Sequence, residues 1–158
     1  MKFLKLVLSA ATGCLLVGAS GVAVAANNCE GGFLSGIIEQ DVVVDGQSCV
    51  LRDADVSGKI QISNAPNATV LSTKASGNIV VQDSAIVAIM ASNARNILAR
   101  RNDAVLVVGT LANKNLAVNR NVAAGVKQND AVLSITCVGN GELDARFNYT
   151  EGEDNCRR

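Results

Sequence analysis

One three-residue figure returns down the middle of this 158-residue chain: Gly77-Asn78-Ile79, Arg95-Asn96-Ile97 and Lys114-Asn115-Leu116. With Ile60 added, the aliphatic members Ile60, Ile79, Ile97 and Leu116 fall at steps of 19, 18 and 19 residues. Between them lie further apolar strips, Val50-Leu51, Val70-Leu71, Ile89-Met90 and Val107-Val108, separated by Ser-Gly, Asn and Asp turn formers. Short alternating stretches such as Ile60-Gln61-Ile62 and Ile79-Val80-Val81 read as strands of a few residues. A self-similar period near 19 built from short strands and turns is the mark of a β-solenoid, in which each period is one coil stacked on the last. The expected fold is therefore all-β: a single parallel β-solenoid of about six coils.

Stacking gives each repeated residue a task. Equal positions in successive coils lie about 4.8 Å apart. The aliphatic members then form one inward column, and Asn78, Asn96 and Asn115 form a ladder beside it at a corner. Asn also tolerates the left-handed backbone that a tight corner demands. A second alignment, Asp103-Ala-Val-Leu106 with Asp130-Ala-Val-Leu133, has an offset of 27 residues. It predicts about eight surplus residues, carried as a bulging loop at 119–129.

The cysteines test the same register. Cys29 to Cys49 is 20 residues and Cys137 to Cys156 is 19, each about one coil. Residues one coil apart meet at a Cα separation suited to a disulfide, about 4.4–6.8 Å. The expected pairs are Cys29–Cys49 and Cys137–Cys156, one staple at each end, where a solenoid otherwise exposes core and strand edges. Lys2 and Lys5, an apolar run from Leu6 to Ala26 and the small-x-small Ala23-Val24-Ala25 read as a secretory signal over residues 1–25. The solenoid domain then occupies 26–158 and the destination is secreted or periplasmic, with no stable membrane span after cleavage. Ala11-Thr12-Gly13-Cys14 also touches the pattern of a lipoprotein box, without its leading Leu.

Two competing folds are weighed against this one. The Ala-rich stretch Ser84 to Arg101 could be read as a helix, but its repeat partners are rich in Val, Thr and Asn. A two-sheet sandwich explains strands and turns but neither the fixed period nor the cysteine spacing. The chain has no His and no Trp, which removes Ser-His-Asp, Cys-His and His-zinc chemistry and leaves a core of Val, Ile, Leu and Ala. No cofactor is implied: the paired glycines and repeating Asp of calcium-binding rolls are missing, as is the C-x-x-C spacing of zinc knuckles. Thr69, Thr73, Thr110 and Thr136 make no flat ice-binding array.

Asp53 and Asp55 share strand parity and are the candidate catalytic pair, of the kind glycoside cleavage requires. Surface acids more often solubilise or protect an edge, and the reading is of a non-catalytic protein. Charge is more suggestive. From Val56 to Gln128 the basic residues are Lys59, Lys74, Arg95, Arg100, Arg101, Lys114, Arg120 and Lys127, against Asp83 and Asp103 alone. Arg101 and Arg120 each fall four residues after a column aliphatic and should stack. Arg100, Arg101, Arg120 and Lys127 are the candidate ligand-binding residues, a basic stripe for an anionic glycan or envelope protein. With so few aromatics, nucleic-acid binding is not expected.

Asp41-Val-Val-Val-Asp-Gly-Gln-Ser-Cys49, Val56-Ser-Gly-Lys-Ile-Gln-Ile62, Ser76-Gly-Asn-Ile-Val-Val81 and Cys137-Val-Gly-Asn140 through Cys156 resemble small exported bacterial β-solenoid proteins of unassigned function. The chain is weakly similar to bactofilins, polymer-forming β-helices that are cytosolic and lack disulfide caps. The resemblance implies a solenoid and no catalytic residue. The functional expectation is a binding or structural module at the cell envelope; homo-association and a small carbohydrate-active enzyme are the alternatives.

Overall fold

The computed structural model describes residues 28–29 and 32–156. The signal segment and Cys14 lie outside the described residues. Those described form a parallel β-solenoid of about six coils, with no α-helix among them. Ser84 to Arg101, where a helix was weighed, contributes three short strands instead.

Each full coil has three faces. Face A stacks Val42–Asp45, Ile60–Ser63, Ile79–Gln82, Ile97–Arg100, Asn115–Asn119, Ser134–Thr136 and Glu153–Asp154. Face B stacks Phe33–Ile38, Cys49–Val56, Asn67–Leu71, Ile86–Met90, Ala104–Val108, Ala123–Lys127 and Glu142–Arg146. Face C is made of two-residue strands, Lys74–Ala75, Asn93–Ala94, Leu111–Ala112, Asp130–Ala131 and Tyr149–Thr150, joined to face B through the long strand Cys49–Val56. Every ladder is parallel, and Ile60, Ile79, Ile97 and Leu116 pair in register.

Alternation on each strand sends one set of side chains inward. Face A supplies Val42, Ile60, Ile79, Ile97, Leu116 and Ile135, all essentially inaccessible. Face B supplies Leu51, Val70, Ile89, Val107 and Val126. Face C, opposite, supplies Ala75, Ala94, Ala112 and Ala131. An aliphatic wall facing an alanine wall fills a narrow prism without aromatics, which is why the chain can do without them inside. The described aromatics, Phe33, Phe147 and Tyr149, all lie exposed on the first and last coils.

Two of the three corners turn through a left-handed residue in every coil. Between faces A and B it is Gly46, Asn64, Asp83, Arg101, Arg120 and Gly139; between B and C it is Asp53, Ser72, Ala91, Gly109, Gln128 and Phe147. The expectation that Asn78, Asn96 and Asn115 hold the left-handed positions is not met, since none has a positive φ. They stand at the third corner, between C and A, and do form the ladder: Asn96 Nδ2 donates to Asn78 Oδ1 at 2.8 Å and Asn115 Nδ2 to Asn96 Oδ1 at 3.1 Å. At that corner glycine answers to space rather than backbone angle: a Cβ on Gly77 would sit 2.9 Å from the Gly58 carbonyl oxygen. The corner also varies in length. Three residues separate Ala75 from Ile79 and Ala112 from Leu116, but two separate Ala94 from Ile97, which accounts for the step of 18.

A further set of polar side chains fills the two left-handed corners from within. Each follows the left-handed residue: Ser84, Asn102, Asn121 and Asn140 at one corner, and Thr73, Ser92, Thr110, Asn129 and Asn148 at the other. Asn121 Oδ1 accepts from both the backbone N–H and Nδ2 of Asn102 at 3.0 Å, while its Nδ2 donates to Asn140 Oδ1 at 3.0 Å and to the Ala99 carbonyl at 3.3 Å. Among the described residues no buried side-chain polar atom lacks a partner.

The disulfides are Cys29–Cys49 and Cys137–Cys156, near the two ends, as the coil spacing requires. Disulfides and the absence of a helix long and apolar enough to cross a membrane, among the described residues, are compatible with a secreted or periplasmic protein. The bulge expected at 119–129 does not exist. Leu116 pairs with Ile135, 19 residues on, and Ala123–Lys127 is an ordinary face B strand. The two Asp-Ala-Val-Leu stretches belong to different faces, because Asp130-Ala131 pairs with Leu111-Ala112 on face C. The match is one of composition, not of register.

Candidate functional site

Arg100 ends a face A strand, and Arg101 follows it in the left-handed corner position. One coil further, Asn119 ends the next strand and Arg120 takes the corner. A left-handed backbone costs a residue with a Cβ about 1–2 kcal/mol. Asn64 and Gly139 meet that cost at the same corner in the ordinary way; arginine offers no such relief. The corner is held beneath by the Asn102–Asn121–Asn140 ladder, so the arginines can occupy it without supporting it.

Their side chains line one open cleft of about 330 Å³, together with Leu98, Asn119 and Val138. Arg100 Nε and Nη2 donate to Gln82 Oε1 at 3.0 and 2.7 Å. Arg101 makes a two-point pair with Asp83, Nε to Oδ1 and Nη2 to Oδ2, each 2.7 Å. The hydrogen bond from Arg101 holds the Asp83 carboxyl below its usual range, and Asp83 in turn raises the guanidinium. Asn119 Oδ1 accepts from the Val138 N–H at 2.9 Å, fixing the cleft wall. Arg120 makes no side-chain hydrogen bond or ion pair with the described residues.

Lys127 is not part of this cluster. It ends a face B strand, across that face from Arg120, and its Nζ lies 2.6 Å from Asp144 Oδ2. The candidate carboxylates also separate. Asp53 takes the left-handed corner and pairs with Arg52 at 3.3 Å, whereas Asp55 lies past the turn, beside Lys74 on face C. Shared parity does not survive a corner between the two residues. Asp41 and Asp45 are tied to the next coil, by Lys59 N–H at 2.9 Å and by Ser63 and Asn64 at 2.8 and 2.7 Å. No group of three or more acidic or cysteine side chains converges among the described residues.

The outside of face B went unread in the sequence. Ile86–Met90 and Ala104–Val108 carry apolar residues at outward as well as inward positions. The signal was available: IVAIM and AVLVV do not alternate, whereas IQIS does. An uninterrupted apolar run in a strand that has one solvent face marks a surface with something to cover.

The fold thus defines the class, a disulfide-capped parallel β-solenoid with an arginine-lined corner. Comparison with protein-family models, curated proteins and solved structures found no match.

Proposed function

We propose that the protein is a non-catalytic binding module, exported to the cell envelope, that holds the carboxylate or sulfate groups of an anionic glycan at the arginine corner. The observation that supports this reading is the meeting of three guanidiniums at one cleft, with Arg120 left free to engage a ligand. Guanidinium forks recognise planar oxyanions through paired hydrogen bonds. The nearest acid, Asp83, is already committed to Arg101, so it orients that side chain and does not close the cleft. Leu98 and Val138 provide apolar walls against which a sugar ring can rest. Arg101 and Arg120 take the same corner on adjacent coils, about 4.8 Å apart, which suits a polymer whose charges recur along its length.

Calorimetry with polygalacturonate, against neutral pullulan as control, tests this directly. Arg120→Gln should weaken binding about tenfold, the size expected for one charge-assisted contact. Lys127→Gln, on the far side of face B, should leave it unchanged. Equal affinity for pullulan, or binding indifferent to Arg120, would remove the proposal.

A further inference from the structure

The outer side of a solenoid sheet meets solvent, and a contiguous apolar surface there marks a contact site. Here the outward positions of two adjacent face B strands are Ile86, Ala88, Met90, Ala104, Leu106 and Val108, without a polar side chain among them. Ile86 is 58% exposed and Leu106 38%. The next strand continues the surface with Ala123 and Gly125, where a Cβ would lie 2.9 Å from Leu106 Cδ1. Leu106 therefore lies over nearly bare backbone, and a hollow of about 530 Å³ opens between these small residues and a rim of Lys127, Glu142 and Asp144.

We propose that this surface is covered by face B of a second copy of the chain, about a two-fold axis parallel to the solenoid axis. Such an axis sets each coil against its own counterpart and exchanges the two ends of every strand. Ile86 then faces Met90, Ala104 faces Val108, and Leu106 meets itself beside the Gly125 hollow. On the last coil, Glu142 and Arg146 are the two ends of one strand, so they meet as two ion pairs across the axis. Asp144 faces its own copy with its charge already balanced by Lys127 and Arg146, each at 2.6 Å. A two-fold axis along the strands, centred on the apolar pair, would instead oppose Arg52 and Arg146. Five strands of five residues measure about 24 by 16 Å, so two copies bury roughly 800 Å², the size of a weak, transient contact. The contact should therefore be concentration-dependent. End-to-end stacking is opposed by acids on both end coils, Asp41 and Asp45 on one, Glu151 and Glu153 on the other.

Sedimentation velocity on the disulfide-intact protein, from about 1 µM to 1 mM, bracketing the low-area regime, should show the mass doubling. Leu106→Lys, and independently Ala88→Lys should the first fail to fold, must return a monomer throughout while the circular dichroism stays native. Arg120→Gln, at the corner proposed to bind the glycan, must leave the dimer intact, which separates the two proposals. Reversing one charge with Glu142→Arg should weaken the dimer, and adding Arg146→Glu should restore it. A wild-type monomer at every concentration, a dimer indifferent to both lysine variants, or no rescue by the double reversal would overturn the proposal.

Discussion

The two halves of the rod carry the same corners filled with different chemistry. In the N-terminal half the inner corner positions are Ala54, Ala65, Thr73, Ser84 and Ser92; in the C-terminal half Asn predominates, at Asn102, Asn121, Asn129, Asn140 and Asn148. Ser84 Oγ accepts from the Ala65 N–H at 3.1 Å and donates to the Gln82 carbonyl at 2.9 Å. Asn102, Asn121 and Asn129 instead each reach both the next Asn and a backbone carbonyl, as Asn129 Nδ2 does with Asn148 Oδ1 at 3.1 Å and the Val107 carbonyl at 2.9 Å. A hydroxyl reaches its own turn and the coil before it, whereas an amide in the ladder reaches the coils on both sides. One inner column of face A thins along the rod, from Ile62 and Val81 to Ala99, Val118 and Cys137, while the other keeps Ile60, Ile79, Ile97, Leu116 and Ile135 throughout. The apolar core runs the length of the rod, and toward the C-terminal end polar ladders are added to it.

The largest effect should come from breaking the ladder at its centre. Asn121→Leu orphans the buried Asn102 N–H and removes the side-chain donors to the Ala99 carbonyl and Asn140 Oδ1, and should cost about 3 kcal/mol in urea unfolding, against about 1 kcal/mol for Ser84→Ala. Equal costs would erase the distinction between halves. Next come the staples, which close loops of 20 and 19 residues and should each contribute about 3 kcal/mol. Their loss should differ in reach. Removing Cys29–Cys49 should expose amides as far as Asn64 to hydrogen exchange, while removing Cys137–Cys156 should stop at Asn121, where the ladder begins to hold.

The smallest effect is on pH. Asp45, Asp83 and Asp144 all titrate below their ordinary value, because Asn64, Arg101 and Lys127 respectively donate to the carboxylate. A lowered folded pKa means stability that is complete above the unfolded value, about 4, and that fades as pH falls through the folded values. All three carboxylates are at the surface, so melting temperature should fall only modestly between pH 4 and 2 from this cause, and Asp83→Asn should flatten part of that slope. A stability loss beginning at pH 6 would point to some other group.

Much of this was legible because a solenoid writes its cross-section into the sequence once per coil. Ile60, Ile79, Ile97 and Leu116 gave the register, and the cysteine spacing gave the same register independently. The arginine cluster was legible to the extent that it obeyed that register, so Arg101 and Arg120 were placed correctly. Lys127 was misplaced because it was grouped by charge, and charge has no address within the coil. The false bulge had the same origin: Asp-Ala-Val-Leu serves face B at Asp103 and the C corner at Asp130, and local similarity outvoted the period. The buried Asn ladders escaped notice because their residues look like turn formers. Only burial distinguishes Asn102, inside, from Asn96 beside it in composition.

The third corner has a consequence for how such a chain can grow and be engineered. The corner between faces B and C keeps one length, five positions from Leu51 to Val56 and again from Val126 to Ala131, whereas the corner between A and B is one residue shorter in the first coil, where Val44 and Cys49 pair with Ile62 and Ala68. The corner between faces C and A is one residue shorter at Arg95-Asn96, with Ile97 and Ala94 still in register. Insertions, reporter tags and protease sites belong at Asn113-Lys114 or Val132-Leu133. Lengthening the rod itself calls for duplicating a whole coil, a quantum of about 4.8 Å.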